Sequence, residues 1–134
     1  MEVKVNAYAK INLTLDIVAL RADKYHDLFM VMQSVSLCDK ITVSENKSKG
    51  ISISCNKDGI PLDGKNICWK AAEEFFRYTK KKNKGIHIDI KKNIPHAAGL
   101  AGGSADGAAV ITALNQIYKT DLTDTELCEI GVKI

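Results

Sequence analysis

No stretch of this 134-residue sequence is apolar for long enough to cross a membrane as a helix. Cysteine is sparse: Cys38, Cys55, Cys68 and Cys128 lie far apart with no Cys-x-x-Cys pair, which fits neither a zinc ribbon nor the disulfide framework of a small secreted domain. Met1 to Val5 alternates charged and apolar residues and does not open as a secretory leader, so the expected location is the cytoplasm. There is no internal repeat, low-complexity tract or interdomain linker. The charge imbalance is small: +3 demands neither nucleic acid nor a membrane surface, and anionic small molecules suit it equally well. What remains is room for one domain with an ordinary core.

Strand signals come first along the chain. From Tyr8 to Ile17 the residues alternate, with Ala9, Ile11, Leu13, Leu15 and Ile17 on one face and Tyr8, Lys10, Asn12, Thr14 and Asp16 on the other. This predicts a long strand with one face on a core. Lys10 and Asn12 are then either part of a solvated face or a convergent polar pair. A polar turn, Arg21 to His26, leads to Leu28–Val35, apolar enough for a buried strand. Leu37–Ser44 and Gly50–Ser54 predict two further strands, joined by a charged, hairpin-like Glu45–Gly50. Asn56–Lys65, with Gly59, Pro61 and Gly64, is a loop.

Helical spacing follows. Asn66 opens a helix to about Thr79 whose buried face carries Ile67, Ala71, Phe75 and Tyr78. Lys80, Lys81, Lys82 and Lys84 read as cations at its C-terminus, not as a nucleic-acid patch. Ile86, Ile88 and Ile90 mark a strand, a second helix runs from Ala105 to Tyr118, and Thr123 with Glu126 forms a capping box for a third.

Between that strand and the second helix lies Pro95-His96-Ala97-Ala98-Gly99-Leu100-Ala101-Gly102-Gly103-Ser104-Ala105. Strand, glycine-rich loop and helix together point free N–H groups at an anion. Gly99, Gly103 and Gly107 also recur every fourth residue, as a close helix-packing surface would. No Lys-Ser/Thr pair closes a Walker loop, and the dinucleotide spacing is absent. On pattern alone, both phosphate binding and close packing stay open.

The same loop, with Pro95, Gly99, Leu100 and then Ser104, resembles the Pro-x-x-x-Gly-Leu phosphate loop of the GHMP small-molecule kinases. Ala9-Lys10-Ile11-Asn12-Leu13 and Arg21-Ala22-Asp23-Lys24-Tyr25-His26 resemble the branch of that family that phosphorylates cytidine diphosphate methylerythritol in non-mevalonate isoprenoid biosynthesis. The resemblance implies an α+β fold, the family's N-terminal domain with its likeness to a ribosomal-protein domain: a mixed, mainly antiparallel sheet with helices on one face. It implies that Pro95 to Ala105 wraps the phosphates of ATP, with Asn66 and Lys92 near the adenine and the Ser104 hydroxyl on phosphate or Mg2+. Tyr25 and His26 would hold the cytosine, Asn12 the methylerythritol, and Lys10 would stand at the acceptor hydroxyl. The implied reaction transfers the γ-phosphoryl group of ATP to that substrate's 2-hydroxyl, with no nucleic-acid or membrane partner.

Family members continue beyond the segment matching Leu127–Ile134 into a Gly-Ala-Asp motif with the catalytic aspartate and then a second domain. Residues 1–134 are therefore expected to be the ATP-binding N-terminal portion of such a kinase, inactive or poorly active alone and prone to self-association through bared apolar surface. Two other readings are a non-catalytic nucleotide- or RNA-binding module and another GHMP kinase, such as a homoserine or mevalonate kinase.

Overall fold

The computed structural model describes residues 1–134. In chain order the elements are β1 (Glu2–Leu20), β2 (His26–Glu45), β3 (Ile51–Cys55), α1 (Ile67–Thr79), β4 (Ile86–Lys91), α2 (Gly102–Tyr118) and α3 (Asp124–Gly131). The strands form one sheet in the order β1-β2-β4-β3. The β1–β2 and β2–β4 pairs are antiparallel and β3–β4 is parallel. The expected α+β architecture, mixed and mainly antiparallel with helices on one face, is what the chain adopts.

Period-two alternation decides which face carries the helices. Ala7, Ile41, Val43, Ile53, Ile86, Ile88 and Ile90 are buried and meet Ala71, Phe75, Val110, Ala113 and Leu114 from α1 and α2. Each fully buried Ile, Leu or Phe contributes about 1.5–3 kcal/mol by leaving water. The opposite face is polar: Lys4, Thr42, Asp89 and Ser54 share one register row. On it His87 lies between the hydroxyls of Ser52 and Ser54, at 2.9 and 3.0 Å.

Local chemistry sets the helix boundaries. The Asn66 side chain accepts from the Cys68 N–H at 2.8 Å and caps α1. Thr123 and Glu126 make the reciprocal capping box of α3. The predicted α1 face is met by Ala71 and Phe75, with Cys68 and Ala72 added, while Ile67 and Tyr78 are half-buried at its edges. Past its C-terminus Lys80, Lys81, Lys82 and Lys84 stand exposed. The second helix begins at Gly102, three residues before Ala105, because Gly102, Gly103 and Ser104 form its first turn.

Three expectations need correction. Leu28–Val35 and Leu37–Ser44 are parts of one strand, β2, not two. The Glu45–Gly50 segment is not a hairpin, because β4 inserts between β2 and β3 and pairs parallel with β3. The third concerns burial. Beyond Ala9 the β1–β2 pair runs on as a two-stranded arm covered by no helix. Leu13, Leu15, Ile17, Phe29 and Met32 are exposed there, Phe29 by 71%. Alternation correctly marks the strands, but an apolar face is buried only where a second layer covers it.

Candidate functional site

The connection from β4 to α2 is built around left-handed backbone. Ala97, Gly99 and Ala101 have φ of 57°, 72° and 57°. A non-glycine residue in this region costs about 1–2 kcal/mol, and alternation of hand turns successive N–H groups inward to make an anion-binding concavity. Ala101 is the N-cap of α2 and offers no side-chain acceptor. The first intrahelical bond runs from the Ala105 N–H to the Ala101 carbonyl at 2.9 Å. The N–H groups of Gly102, Gly103 and Ser104 therefore have no acceptor within the protein, and the positive end of a 17-residue helix stands behind them.

Close packing, one of the two readings of the small-residue pattern, is seen at two of its glycines. A Cβ on Gly107 would sit 3.5 Å from Ile67 of α1, and one on Gly103 would be 3.8 Å from it, so these two pack the helices together. Gly99, with open space around its Cα, belongs to the loop. Gly102 is tighter: a Cβ would lie 3.0 Å from Ile94 Cγ2 and 3.2 Å from Lys92 Nζ.

The loop forms one wall of an open cleft of 570 Å³; Gly59 to Pro61 and Lys65 to Ile67 form the other. Asn66 borders it with both polar atoms engaged, its amide donating to the Pro61 carbonyl at 2.6 Å while its oxygen caps α1. Lys65 and Lys92 are the only cationic lysines or arginines in the lining. Lys65 is exposed and makes no ion pair. The loop also reaches β1, where the Lys10 N–H donates to the Leu100 carbonyl at 3.1 Å. Lys10 Nζ donates to Asn12 Oδ1 at 3.2 Å. The Lys10–Asn12 pair thus converges and lies against the loop.

Beneath the loop is a buried ion triad that the sequence reading missed. Lys92 Nζ pairs with Asp39 Oδ2 and, at 2.9 Å, with Asp106 Oδ2. Asp39 is fully buried, and its Oδ1 accepts the N–H groups of Asn93 at 2.6 Å and Ile94 at 2.8 Å. Burial pushes the Asp39 carboxyl up, but Lys92 and these two N–H groups outweigh it and hold the group below its ordinary value. At Asp106 burial wins: despite Lys92, its carboxyl is raised to about 6, and its Oδ1 is buried without a hydrogen-bond partner. No spacing rule links Asp39, Lys92 and Asp106. A charged residue on a core-bordering strand was the one available signal.

Of the predicted site residues, the structure brings together Pro95 to Ala105, Asn66, Lys92, Lys10 and Asn12. It does not bring Tyr25 and His26 to them. Those two stand at the arm's far end, where His26 pairs with Leu20, ten positions beyond Lys10 and about 30 Å along a strand. The turn there is set by the Arg21 N–H bonding the Tyr25 carbonyl at 2.7 Å and by Lys24 at φ 68°. As for a metal, no three His, Cys, Asp or Glu side chains gather to hold one. The exposed Ser104 hydroxyl at the cleft suits a magnesium ion that arrives with phosphate oxygens as its other ligands, the usual habit of Mg2+.

Known proteins resemble this chain in sequence and in fold. The 4-diphosphocytidyl-2-C-methyl-D-erythritol kinase of Clostridium acetobutylicum is 51% identical over 130 residues, covering 97% of this chain and 46% of the relative. That of Clostridium novyi is 48% identical over 128 residues, covering 96% and 45%. A crystal structure of 4-(cytidine 5'-diphospho)-2C-methyl-D-erythritol kinase superposes with a TM-score of 0.77 at 30% identity, over 96% of this chain and 46% of that one. The mevalonate kinase of Methanococcus jannaschii, 18% identical, shares the fold with a TM-score of 0.78 over 98% of this chain and 45% of that one. This chain thus spans just under half the length of the curated relatives it matches. The family described as GHMP kinases N terminal domain matches residues 66–134, from the α1 cap through the glycine-rich loop to the last residue. With that match joined to the uncapped α2 turn and its left-handed loop, the chain belongs to the GHMP kinases, through their N-terminal domain.

Proposed function

We propose that this chain is the nucleotide-binding half of a kinase that transfers the γ-phosphoryl group of ATP to the 2-hydroxyl of 4-diphosphocytidyl-2-C-methyl-D-erythritol, a step of isoprenoid biosynthesis in the cytoplasm. The observation that carries this reading is the Lys10 N–H to Leu100 carbonyl bond. It joins the strand bearing Lys10 and Asn12 to the loop whose free N–H groups suit phosphates. The relatives named for this activity, at 48–51% identity, supply the substrate.

Each part has a task. The N–H groups of Gly102, Gly103 and Ser104, with the α2 dipole, stabilise charge on the phosphate oxygens without reorganising during the reaction. The cleft wall from Gly59 to Ile67, with Asn66 and Lys92 at its border, holds the adenine. The Ser104 hydroxyl meets phosphate or the nucleotide's magnesium, whose chemistry is to offset charge on the transferring oxygens. Lys10 lies at the acceptor hydroxyl and Asn12 on the methylerythritol. The base that takes the acceptor's proton belongs to the Gly-Ala-Asp motif in the part of the relatives that this chain does not span.

Tyr25 and His26 hold the cytosine in this proposal, which requires the arm to bend back over Lys10. Register shifts between Tyr8 and Lys10, Asn12 and Thr14, and Ile17 and Ala19 provide three places for such a bend. Isothermal titration of the purified chain with ATP tests the nucleotide half. Binding that weakens with salt and loses most of its strength when adenosine replaces ATP is expected; equal affinity for the two would contradict phosphate recognition by the loop.

A further inference from the structure

The phosphate loop is anchored at both ends by one buried cluster, and the cluster has a feature that simple core stability does not need. Asp39 on β2 grips the chain just before the loop, through the N–H groups of Asn93 and Ile94 at 2.6 and 2.8 Å. Lys92, bonded to the same carboxylate, reaches across to Asp106 on α2, just after the loop, at 2.9 Å. The ammonium therefore links the two flanks of Pro95–Ala101, and it lies where Gly102 leaves it room, 3.2 Å from the position a Cβ would take. Both carboxylates and the lysine are buried, at 0%, 3% and 7% exposure. Hydrophobic residues of similar volume often serve stability as well as a buried ion cluster does. What an ion cluster adds is direction, since charge-assisted bonds fix the angle as well as the distance of the groups they join.

Resting on the nucleotide reading above, we infer that Asp39, acting through Lys92 and the Asn93 and Ile94 amides, is a positioning residue that sets the spacing between the loop and the first turn of α2, and hence the fit of its N–H groups to phosphate. Asp39 touches no ligand itself. Asp39→Asn keeps an oxygen for the two backbone N–H groups but weakens the hold on Lys92. Asp106→Asn loosens the α2 flank alone.

Two measurements on the full chain test this. In the first, hydrogen exchange without ligand should quicken in Asp39→Asn at the Ala105 amide, whose bond to the Ala101 carbonyl closes the junction of loop and helix, and at the Asn93 and Ile94 amides, while the amides of Ile86–Ile90 keep their protection. In the second, titration with ATP and with adenosine should show ATP affinity falling about tenfold or more, as expected for loss of a charge-assisted bond, while adenosine affinity stays within about twofold. If Asp39→Asn does not fold, the same contrast is read in Asp106→Asn. Unchanged exchange and unchanged ATP affinity in a folded variant would overturn the inference, as would a parallel loss of ATP and adenosine binding. Failure of the unaltered chain to bind ATP would instead refute the nucleotide reading, and unchanged exchange at those amides would then refute the positioning role on its own.

Discussion

Two carboxylates share one ammonium beneath the glycine-rich loop, and they respond to pH in opposite senses. Asp106 is raised to about 6, chiefly by burial. Its contribution to stability is full below the unfolded value near 3.8 and is lost as pH rises through about 6. Asp39 is held low by Lys92 and the Ile94 and Asn93 amides against the opposing effect of burial, so its contribution is present above 3.8 and is lost as pH falls. Urea melts should therefore show the unaltered chain losing stability between about pH 4 and pH 6 relative to Asp106→Asn. Parallel curves for the two proteins over that window would refute this balance.

Glycines at single positions separate steric need from conformational need. At Gly85, φ is 119° and a Cβ would collide with the backbone carbonyls of Ser48 and Asn46. At Gly99, φ is 72° but the space is open. Gly99→Ala should cost about 1 kcal/mol, the left-handed penalty alone, whereas Gly85→Ala should cost clearly more, about 3 kcal/mol, as collisions with backbone do. Denaturant midpoints compare them directly, and equal costs would contradict the packing described around Gly85.

Among the elements, α1 shows how much a single cap does. Asn66 holds the Cys68 N–H and the Pro61 carbonyl at once, fixing the helix start and the far wall of the cleft. Asn66→Ala should lower stability by about 1–2 kcal/mol, while Asn66→Asp, which keeps the accepting oxygen, should lose less. A thermal melt unaffected by Asn66→Ala would show the cap to be dispensable. Lys65, one residue earlier, is the cleft's cation without an ion-pair partner, in contrast to Lys92. Lys65→Gln should weaken ATP binding modestly and flatten its salt dependence while leaving the melting temperature unchanged.

The same scale explains what could be read from the sequence. Period two marked β1, β3, β4 and the end of β2, and period 3.6 marked α1, while the cap residues Asn66 and Thr123 set the starts of α1 and α3 to within a residue and the single strand β2 was read as two. That the stretch Ala97–Gly103 is a loop leading into a helix was legible from its glycines, whereas pattern alone left phosphate binding and close packing both open. The insertion of β4 between β2 and β3 was not legible, since register between distant strands depends on which faces meet in space and not on local pattern. The Asp39–Lys92–Asp106 triad was hidden for a related reason: its members lie 53 and 14 residues apart and meet only after the sheet has formed.

On the scale of the whole molecule, the arm beyond Ala9 departs furthest from an ordinary domain. Leu13, Leu15, Ile17, Phe29 and Met32 project from a two-stranded ribbon without a covering layer. An exposed apolar edge of this kind pairs readily with another copy. Sedimentation should show concentration-dependent self-association of the unaltered chain, and Leu15→Lys with Ile17→Lys should shift it toward monomer without lowering the melting temperature. A monomer at every concentration would contradict the expected stickiness of this surface.

The central claim is that the uncapped first turn of α2 binds the phosphates of a nucleotide. Amide nuclear magnetic resonance of the labelled chain, titrated with ATP, tests it most directly. The N–H signals of Gly102, Gly103 and Ser104 should shift most, ADP should move them less, and adenosine should perturb residues 59–67 while leaving those three amides in place. Shifts confined to the polar face of the sheet around His87, or none at these amides at saturating ATP, would contradict it.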